Sequence, residues 1–334
     1  MRGSRAAVPP AVSAVVAGLA VGALCVAANV VAVRDRQPHR VPVVAAGISP
    51  ARVQAALDRA QPGAFRVRGV ADPLAATVEV QEREAHGALV AEGSRPTVLV
   101  AGADGVRPAR TVGRSLTGAA RDLGLSTPAR TRDVVPLQSG DVRGLGLQQV
   151  LLGTVLGGFL MGLASAWRTR DEDLDVRLVA YACFALVFGA LAALVLDPLA
   201  GALRGDFLAI WVWVGVTAFV LATGVAAAAR LLGRAGIPVA MALFLLLGSP
   251  ASAASAPAEF LPRLFRVAGP WLPPSAEANA LLGTTYFDAG VLRETLVLGA
   301  WALVAVGILV VLDTPRGPRR RAAAPAPHVP AAAR

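Results

Sequence analysis

The sequence predicts an α-helical integral membrane protein with six transmembrane helices and a small extracytoplasmic α/β domain between helices 1 and 2. Three observations carry that reading. Apolar residues fill 55% of the 334 positions and charged residues only 16%, whereas a soluble domain carries about 25% charged residues. Six apolar stretches approach the roughly 20 residues that a spanning helix needs. Between the first two, residues 34–146 alternate strand-like runs with capped helical ones.

Residues 1–33 form a short tail and the first span, 11–33. Arg2 and Arg5 precede it as in a signal peptide. Its apolar run is longer than the h-region of about 7–15 residues, and no small-x-small cleavage site follows. Leu24 before Cys25 also argues against a lipid-anchoring cysteine. The reading is an uncleaved signal anchor.

In the outer domain, short apolar runs at 41–45, 64–70, 87–91, 97–101 and 132–136 are bounded by Gly, Pro and Asp, which suits buried strands. Ser49-Pro50 and Asp72-Pro73 place a capping residue before a proline at the first helical position, and Gly124 closes a helix over 109–123. After Pro50, the residues Val53, Ala56, Leu57 and Ala60 make one apolar stripe. This domain is expected to fold on its own.

Residues 147–251 supply spans at 147–167, 178–196, 207–229 and 236–251, the last with Pro238 near its start and Pro250 near its end. Residues 252–293 read as an outer interfacial hairpin, 294–312 as the sixth helix and 313–334 as a basic, Pro/Ala-rich cytoplasmic tail. Arginines set the orientation, because short cytoplasmic connections are enriched in basic residues. With the N-terminus inside, Arg168, Arg170, Arg177, Arg230, Arg234, Arg316, Arg319, Arg320 and Arg321 join Arg2 and Arg5 on one side, and the outer loop 197–206 keeps only Arg204. The expectation is a multi-pass plasma-membrane protein with both termini cytoplasmic.

All 32 basic residues are arginine, so the chain has no lysine for a Walker A loop, a Schiff base or a lysine base. Cys25 and Cys183 lie in apolar runs, and His39, His86 and His328 are scattered, so neither a disulfide framework nor a metal site is expected. Ser94, His86 and Glu84 read as surface groups, and nothing assembles nucleophile, base and orienter. No catalytic activity and no cofactor is expected. Charges are almost absent from the middle of the spans, which argues against a proton relay. Positions 34–146 hold 16 arginines against 11 acidic residues. That surplus reads as a solvated surface, with attraction to anionic lipid or envelope polymers as the sharper alternative. Nucleic acid is not an expected partner outside the membrane.

Gly153, Gly157, Gly158 and Gly162 give the second span two small-xxx-small faces, and Gly18 and Gly22 repeat the spacing in the first. Such spacing lets helices approach closely. Packing within the chain is the favoured reading and a homodimer the alternative. In the last outer segment, Phe260, Leu264 and Phe265 are expected to share a face, followed by Trp271, a double proline and Tyr286. Prolines break spanning helices, and Trp and Tyr prefer head-group depth. Phe260, Pro262, Trp271, Pro273, Pro274 and Tyr286 are therefore the candidate interface or gating residues.

That segment, with Pro-Ala-Glu-Phe-Leu-Pro ending at Pro262, Gly-Pro-Trp-Leu-Pro-Pro ending at Pro274, then Asn279 and Tyr286-Phe287, resembles the last outer segment of the type-2 ABC exporter permease superfamily. The nearest branch is the phage-infection-protein (YhgE/Pip) proteins of Gram-positive bacteria. The order of one span, an outer domain and five further spans fits that branch, as do Asp133-Val-Val-Pro-Leu137 and Asp141-Val-Arg-Gly-Leu145 before the second span. The outer domain is much shorter than in long family members, and Asn279-Ala-Leu-Leu282 stands where many relatives carry an arginine. The resemblance implies a permease-like component exporting a hydrophobic or amphipathic envelope molecule. With no ATP site in the chain, energy would come from a separate ATP-binding subunit. Its best docking surface is the loop with Arg168, Arg170, Asp171, Glu172 and Asp173. The other reading is a non-transporting scaffold or cell-surface receptor that uses the outer domain.

Overall fold

Nearly continuous burial at positions 41–46, with side chains alternating between two cores, sets the middle of the fold. The computed structural model describes residues 23–24, 26–28, 30–31, 37–92, 95–125, 129–141, 143–169, 172–203, 206–252 and 256–313. Strand β1 (Val41–Ala46) turns Val41, Val43 and Ala45 toward one apolar core and Val44 and Ala46 toward another. Helix α1 (Pro50–Ala60) returns the chain to β2 (Phe65–Gly69), parallel to β1. Helix α2 (Pro73–Gln81) then leads to β3 (Gly87–Glu92), parallel to β1 on its other side. Strand β4 (Arg95–Val100) pairs antiparallel with β3, and α3 (Val106–Asp122) leads to β5 (Arg130–Asp133), parallel to β4. The sheet order is β2-β1-β3-β4-β5.

Local chemistry explains these boundaries. Pro50 and Pro73 open their helices where no backbone N–H is needed, and Asp72 Oδ1 accepts the Ala75 N–H at 2.7 Å. Gly47, at φ +69°, turns β1 toward α1 so close to β3 that a Cβ would overlap the Ala91 carbonyl oxygen. Helix α3 begins a turn earlier than the sequence predicts, because Gly105 (φ +109°) starts it and Pro108 falls in the first turn. Strand β5 lies two residues early, although the Val134 N–H still bonds to the Val100 carbonyl at 3.0 Å.

Helices α1 and α3 cover one face of the sheet, with Val53, Leu57, Val112 and Leu116 packed on Leu89 and Val98. The other face receives Ala76 and Val80 of α2 and then the end of the helix bundle. Leu147, Val150, Leu151, Ile210, Val214, Leu281 and Leu282 share a single core with Val44, Val90 and Leu99. The central strands β1, β3 and β4 are buried on both faces, which is why they read as continuous apolar runs, while the edge strands β2 and β5 are largely exposed.

Among the described residues the bundle has four helices long and apolar enough to cross a membrane. They are α4 (Gly146–Arg168), α5 (Leu174–Leu194, continued by a π turn to Leu199), α6 (Phe207–Leu232) and, last in the chain, Leu292–Asp313. Leu186, Leu191, Leu303 and Val304 stand exposed on outward faces, as lipid contact requires. Helix α6 is the hub and the most buried of the four. The fifth expected span is a shorter, interrupted helix, α7 (Gly236–Met241), widened to a π-helix over Ala242–Gly248 and finished by α8 (Ser249–Ala251). The first expected span lies largely outside the described residues, with Ala28 packed near Leu247, Leu261 and Phe265. Among the described residues, four helices thus meet the criteria for spanning.

The expected interfacial hairpin is built differently. After α9 (Arg263–Ala268) comes α10 (Pro273–Thr285), a buried helix wedged between α4, α6 and the final helix, α11 (Leu292–Asp313). Phe260 is 3% exposed and sits in the core of the sheet beside α1 and α3, while Leu264 is 64% exposed. Phe260, Leu264 and Phe265 therefore do not share a face: the extended residues Leu261 and Pro262 break the helical period between them.

Candidate functional site

Helix α10 reaches its position because of its composition. Pro273 and Pro274 start it, and Ser275, Ala276, Ala278, Ala280 and Gly283 give it a thin profile that fits between larger helices. Its single charged residue, Glu277, is 0% exposed. The Thr154 hydroxyl of α4 donates to Glu277 Oε1 at 2.8 Å and also points at the Val150 carbonyl at 3.0 Å. Glu277 Oε2 has no partner among the described residues. The threonine has one hydroxyl hydrogen for two acceptors, so one added hydrogen on the carboxyl group would complete the set by donating back to Thr154. The sequence does not mark this residue as an intramembrane charge, because the prolines around it suggest a segment at the membrane surface.

Two residues on, Asn279 faces the α/β domain. Its Oδ1 accepts from Arg83 Nη1 at 3.0 Å, and Arg83 Nε donates to Asp104 Oδ1 at 2.9 Å. The other Asp104 oxygen meets His86 Nδ1 at 2.5 Å, and His86 Nε2 faces Glu259 at 3.5 Å. The Arg83 guanidinium also lies 5.4 Å from the Phe287 ring centroid. His86 is thus a buried group between two carboxylates, not the surface residue the sequence suggests, while Glu84 is exposed and Ser94 lies outside the described residues.

Electrostatics fix the charge state of this cluster. Burial lowers the pKa of His86, but Asp104 and then Glu259 outweigh it and push the imidazole up to about 9. Burial raises the carboxyl pKa of Asp104, yet His86 and Arg83 hold it down to about 2. Glu259 is also lowered, His86 overcoming the cost of burial. Both imidazole nitrogens are committed to carboxylates. Among the described residues no three His, Cys, Asp or Glu side chains converge as metal ligands. The cluster borders a cavity of about 210 Å³ that Ser275, Arg293 and Glu294 also line.

The sequence-derived candidates distribute around this junction. Pro273 and Pro274 are buried at the start of α10, with Pro274 against Gly248. Pro262 caps α9. Trp271 is exposed, with its ring 5.5 Å from the Arg293 guanidinium carbon and its carbonyl bonded by Trp301 Nε1 at 2.8 Å. The Tyr286 hydroxyl donates to the Ala202 carbonyl at 3.1 Å, tying α10 to the α5–α6 connection.

On α4, Gly158 and Gly162 stand against α6, where added Cβ atoms would lie 2.7 Å from Leu221 Cβ and 2.5 Å from the Ala222 carbonyl oxygen. Gly157 faces Phe188, and Gly153 faces open space. At the far end of the bundle Arg168, Glu172 and Asp173 are exposed, and Arg170 and Asp171 lie outside the described residues. Arg177, counted among the surface arginines, is 1% exposed and bonds Asp313 at 2.5 Å. Arg230 pairs with the same carboxylate at 3.3 Å.

Comparison of the chain with family models, with curated proteins and with solved structures finds no match.

Proposed function

We propose that this chain is a permease-like membrane component that moves, or helps to move, a hydrophobic or amphipathic envelope molecule from the bilayer outward. The observation that carries the reading is Glu277. A carboxyl group enclosed by apolar helices, with one oxygen bonded and the other free, costs folding energy and adds nothing to anchoring, and buried ionisable groups at membrane depth mark working sites. The interrupted helix beside it supports the same reading, because irregular backbone is tolerated there only where protein or a cavity covers it.

In this reading the α/β domain lies outside, both termini are cytoplasmic, and the interrupted helix and residues 11–33 complete six passes. Energy comes from a separate ATP-binding subunit that docks on the exposed Arg168, Glu172 and Asp173. With Cys25 and Cys183 replaced, a cysteine at Gly118 should react with impermeant reagent on intact cells and one at Thr169 should not. The opposite pattern inverts the topology.

Function is tested by comparing envelope amphiphiles in the wild type, a deletion strain and Glu277→Gln. Deletion and Glu277→Gln should deplete the same extracellular amphiphile at unchanged protein abundance. The second reading, a scaffold or receptor, draws on the arginine-rich α/β domain. It is favoured if Glu277→Gln behaves as wild type while loss of the α/β domain does not.

A further inference from the structure

We propose that the groove between α3 and β5 binds an anionic membrane lipid entering from the leaflet at the sheet-side end of the bundle. This rests on the export reading and deepens it by naming the ligand class and its site. The groove encloses about 770 Å³, within the roughly 300–1,000 Å³ of small-molecule sites.

Its two surfaces differ in chemistry. The floor is apolar, made by Val100, Ala109 and Gly113. Gly113 and Gly118 of α3 line the trough, and a Cβ on Gly118 would meet nothing within 4 Å. Along the rim run Arg110, Arg114 and Arg121, all exposed. None of the three has an acidic partner among the described residues, and Arg114 Nε reaches only the Arg110 carbonyl. Asp133, the one acid of the lining, is exposed, with its Oδ1 accepting the Gly102 and Val135 N–H groups at 2.9 and 3.2 Å, so the three rim arginines outnumber it.

Position selects the source of the ligand. The lower end of the groove is formed by Leu137, Gln138 and Ser139, on the strap that leads into α4. The Gln138 carbonyl accepts the Asp141 N–H at 2.9 Å, and Asp141 in turn caps α4 through Leu145 and Gly146. The trough therefore ends where the spans begin. Cationic rim, apolar floor and bilayer-level opening together match an anionic head group with an acyl tail. A soluble polyanion would use only the rim. Addition of a peptide strand to β5 is opposed by the exposed Arg130 and Arg132.

The test uses the full chain in nanodiscs containing phosphatidylglycerol, or phosphatidylcholine at equal mole fraction, with a diazirine in the tail. After irradiation, adducts are mapped by mass spectrometry. Phosphatidylglycerol should label peptides within 106–122 and 131–139, phosphatidylcholine several-fold less. The triple variant Arg110→Gln, Arg114→Gln, Arg121→Gln should cut labelling about tenfold or more, since each basic residue near an anionic surface contributes to attraction. Gly118→Trp should block labelling with the arginines intact. Thermal melts establish that both variants are folded.

Equal labelling by the two lipids, adducts confined to the spans, or full labelling in both variants overturns the proposal. So does binding of polyglycerol phosphate to the rim without any tail adduct. Transport plays no part in this readout. Groove adducts alongside an unaltered envelope in the deletion strain reject export alone, and an altered envelope without groove adducts rejects the lipid site alone.

Discussion

Arg83 donates to Asn279 across 196 positions of sequence, joining the α/β domain to the helix that carries Glu277. Arg83 holds φ +63°, a left-handed conformation that usually falls to glycine after a helix. A long side chain is kept in that strained place by Asp104, Asn279 and Phe287. The relationship couples any movement of α10 to the sheet.

Truncating Arg83 should therefore be costly. Arg83→Ala leaves the Asp104 carboxylate buried with only His86 and should destabilise the full chain by about 3 kcal/mol, against about 1 kcal/mol for Asn279→Ala. Thermal denaturation of the two single variants and the double variant in detergent measures this. The Arg83 and Asn279 effects should fall short of additive by about 1 kcal/mol. Strict additivity would mean that the bond carries no coupling.

The His86 cluster predicts a pH window. Because folding raises the His86 pKa from 6.5 to about 9, its stabilisation is complete below the unfolded value and is lost as pH rises through about 9. Asp104 is lowered from 3.8 to about 2, so its contribution is present above 3.8 and disappears as pH falls through about 2. Melting temperatures between pH 5 and 10 should decline on the alkaline side. His86→Gln should be less stable at pH 6 and flatter up to pH 9. A parallel decline in both proteins would exclude His86 as the titrating group.

Close helix packing predicts a contrast among glycines of one span. Gly162→Ala puts a methyl group against the Ala222 carbonyl and Val225 Cβ, where backbone must shift, and should cost about 1–3 kcal/mol. Gly153→Ala meets nothing within 4 Å and should be neutral or slightly stabilising through helix propensity. Equal melting points would place the α4–α6 contact elsewhere.

Much of the α/β domain was legible because its signals are local. Pro50, Pro73 and the apolar runs around Val43, Leu89 and Val98 each declare an element within a few residues. Spans α4, α5, α6 and α11 were legible from hydropathy for the same reason. What stayed hidden depends on distant partners. Glu277 sits among prolines and small residues that also describe a surface loop, and only its contact with Thr154, 123 positions away, reveals burial. His86 gave no signal, since Asp104 and Glu259 reach it through folding alone. Phe260 departs from the face of Leu264 and Phe265 because the extended residues Leu261 and Pro262 break the helical spacing that the sequence suggests.

The independence of the α/β domain is where the structure changes the expectation. Residues 37–141 contain every strand among the described residues, but two parts of their core come from elsewhere. One face of the sheet packs on Leu147, Leu151, Ile210 and Leu281 of the bundle, and the other receives Ala256 and Phe260. His86 likewise draws one of its two carboxylates from Glu259. Expressed alone, the segment would expose an apolar sheet face and leave the imidazole half-paired, so it should aggregate or melt without a cooperative transition. In the full chain, Phe260→Ala should cost about 3–5 kcal/mol, the range for emptying a buried aromatic site. Leu264→Ala, on an exposed side chain, should change the melt by less than about 0.5 kcal/mol. A sharp reversible melt of the isolated 37–141 segment, together with a silent Phe260→Ala, would show that the sheet needs neither the bundle nor the segment around Phe260.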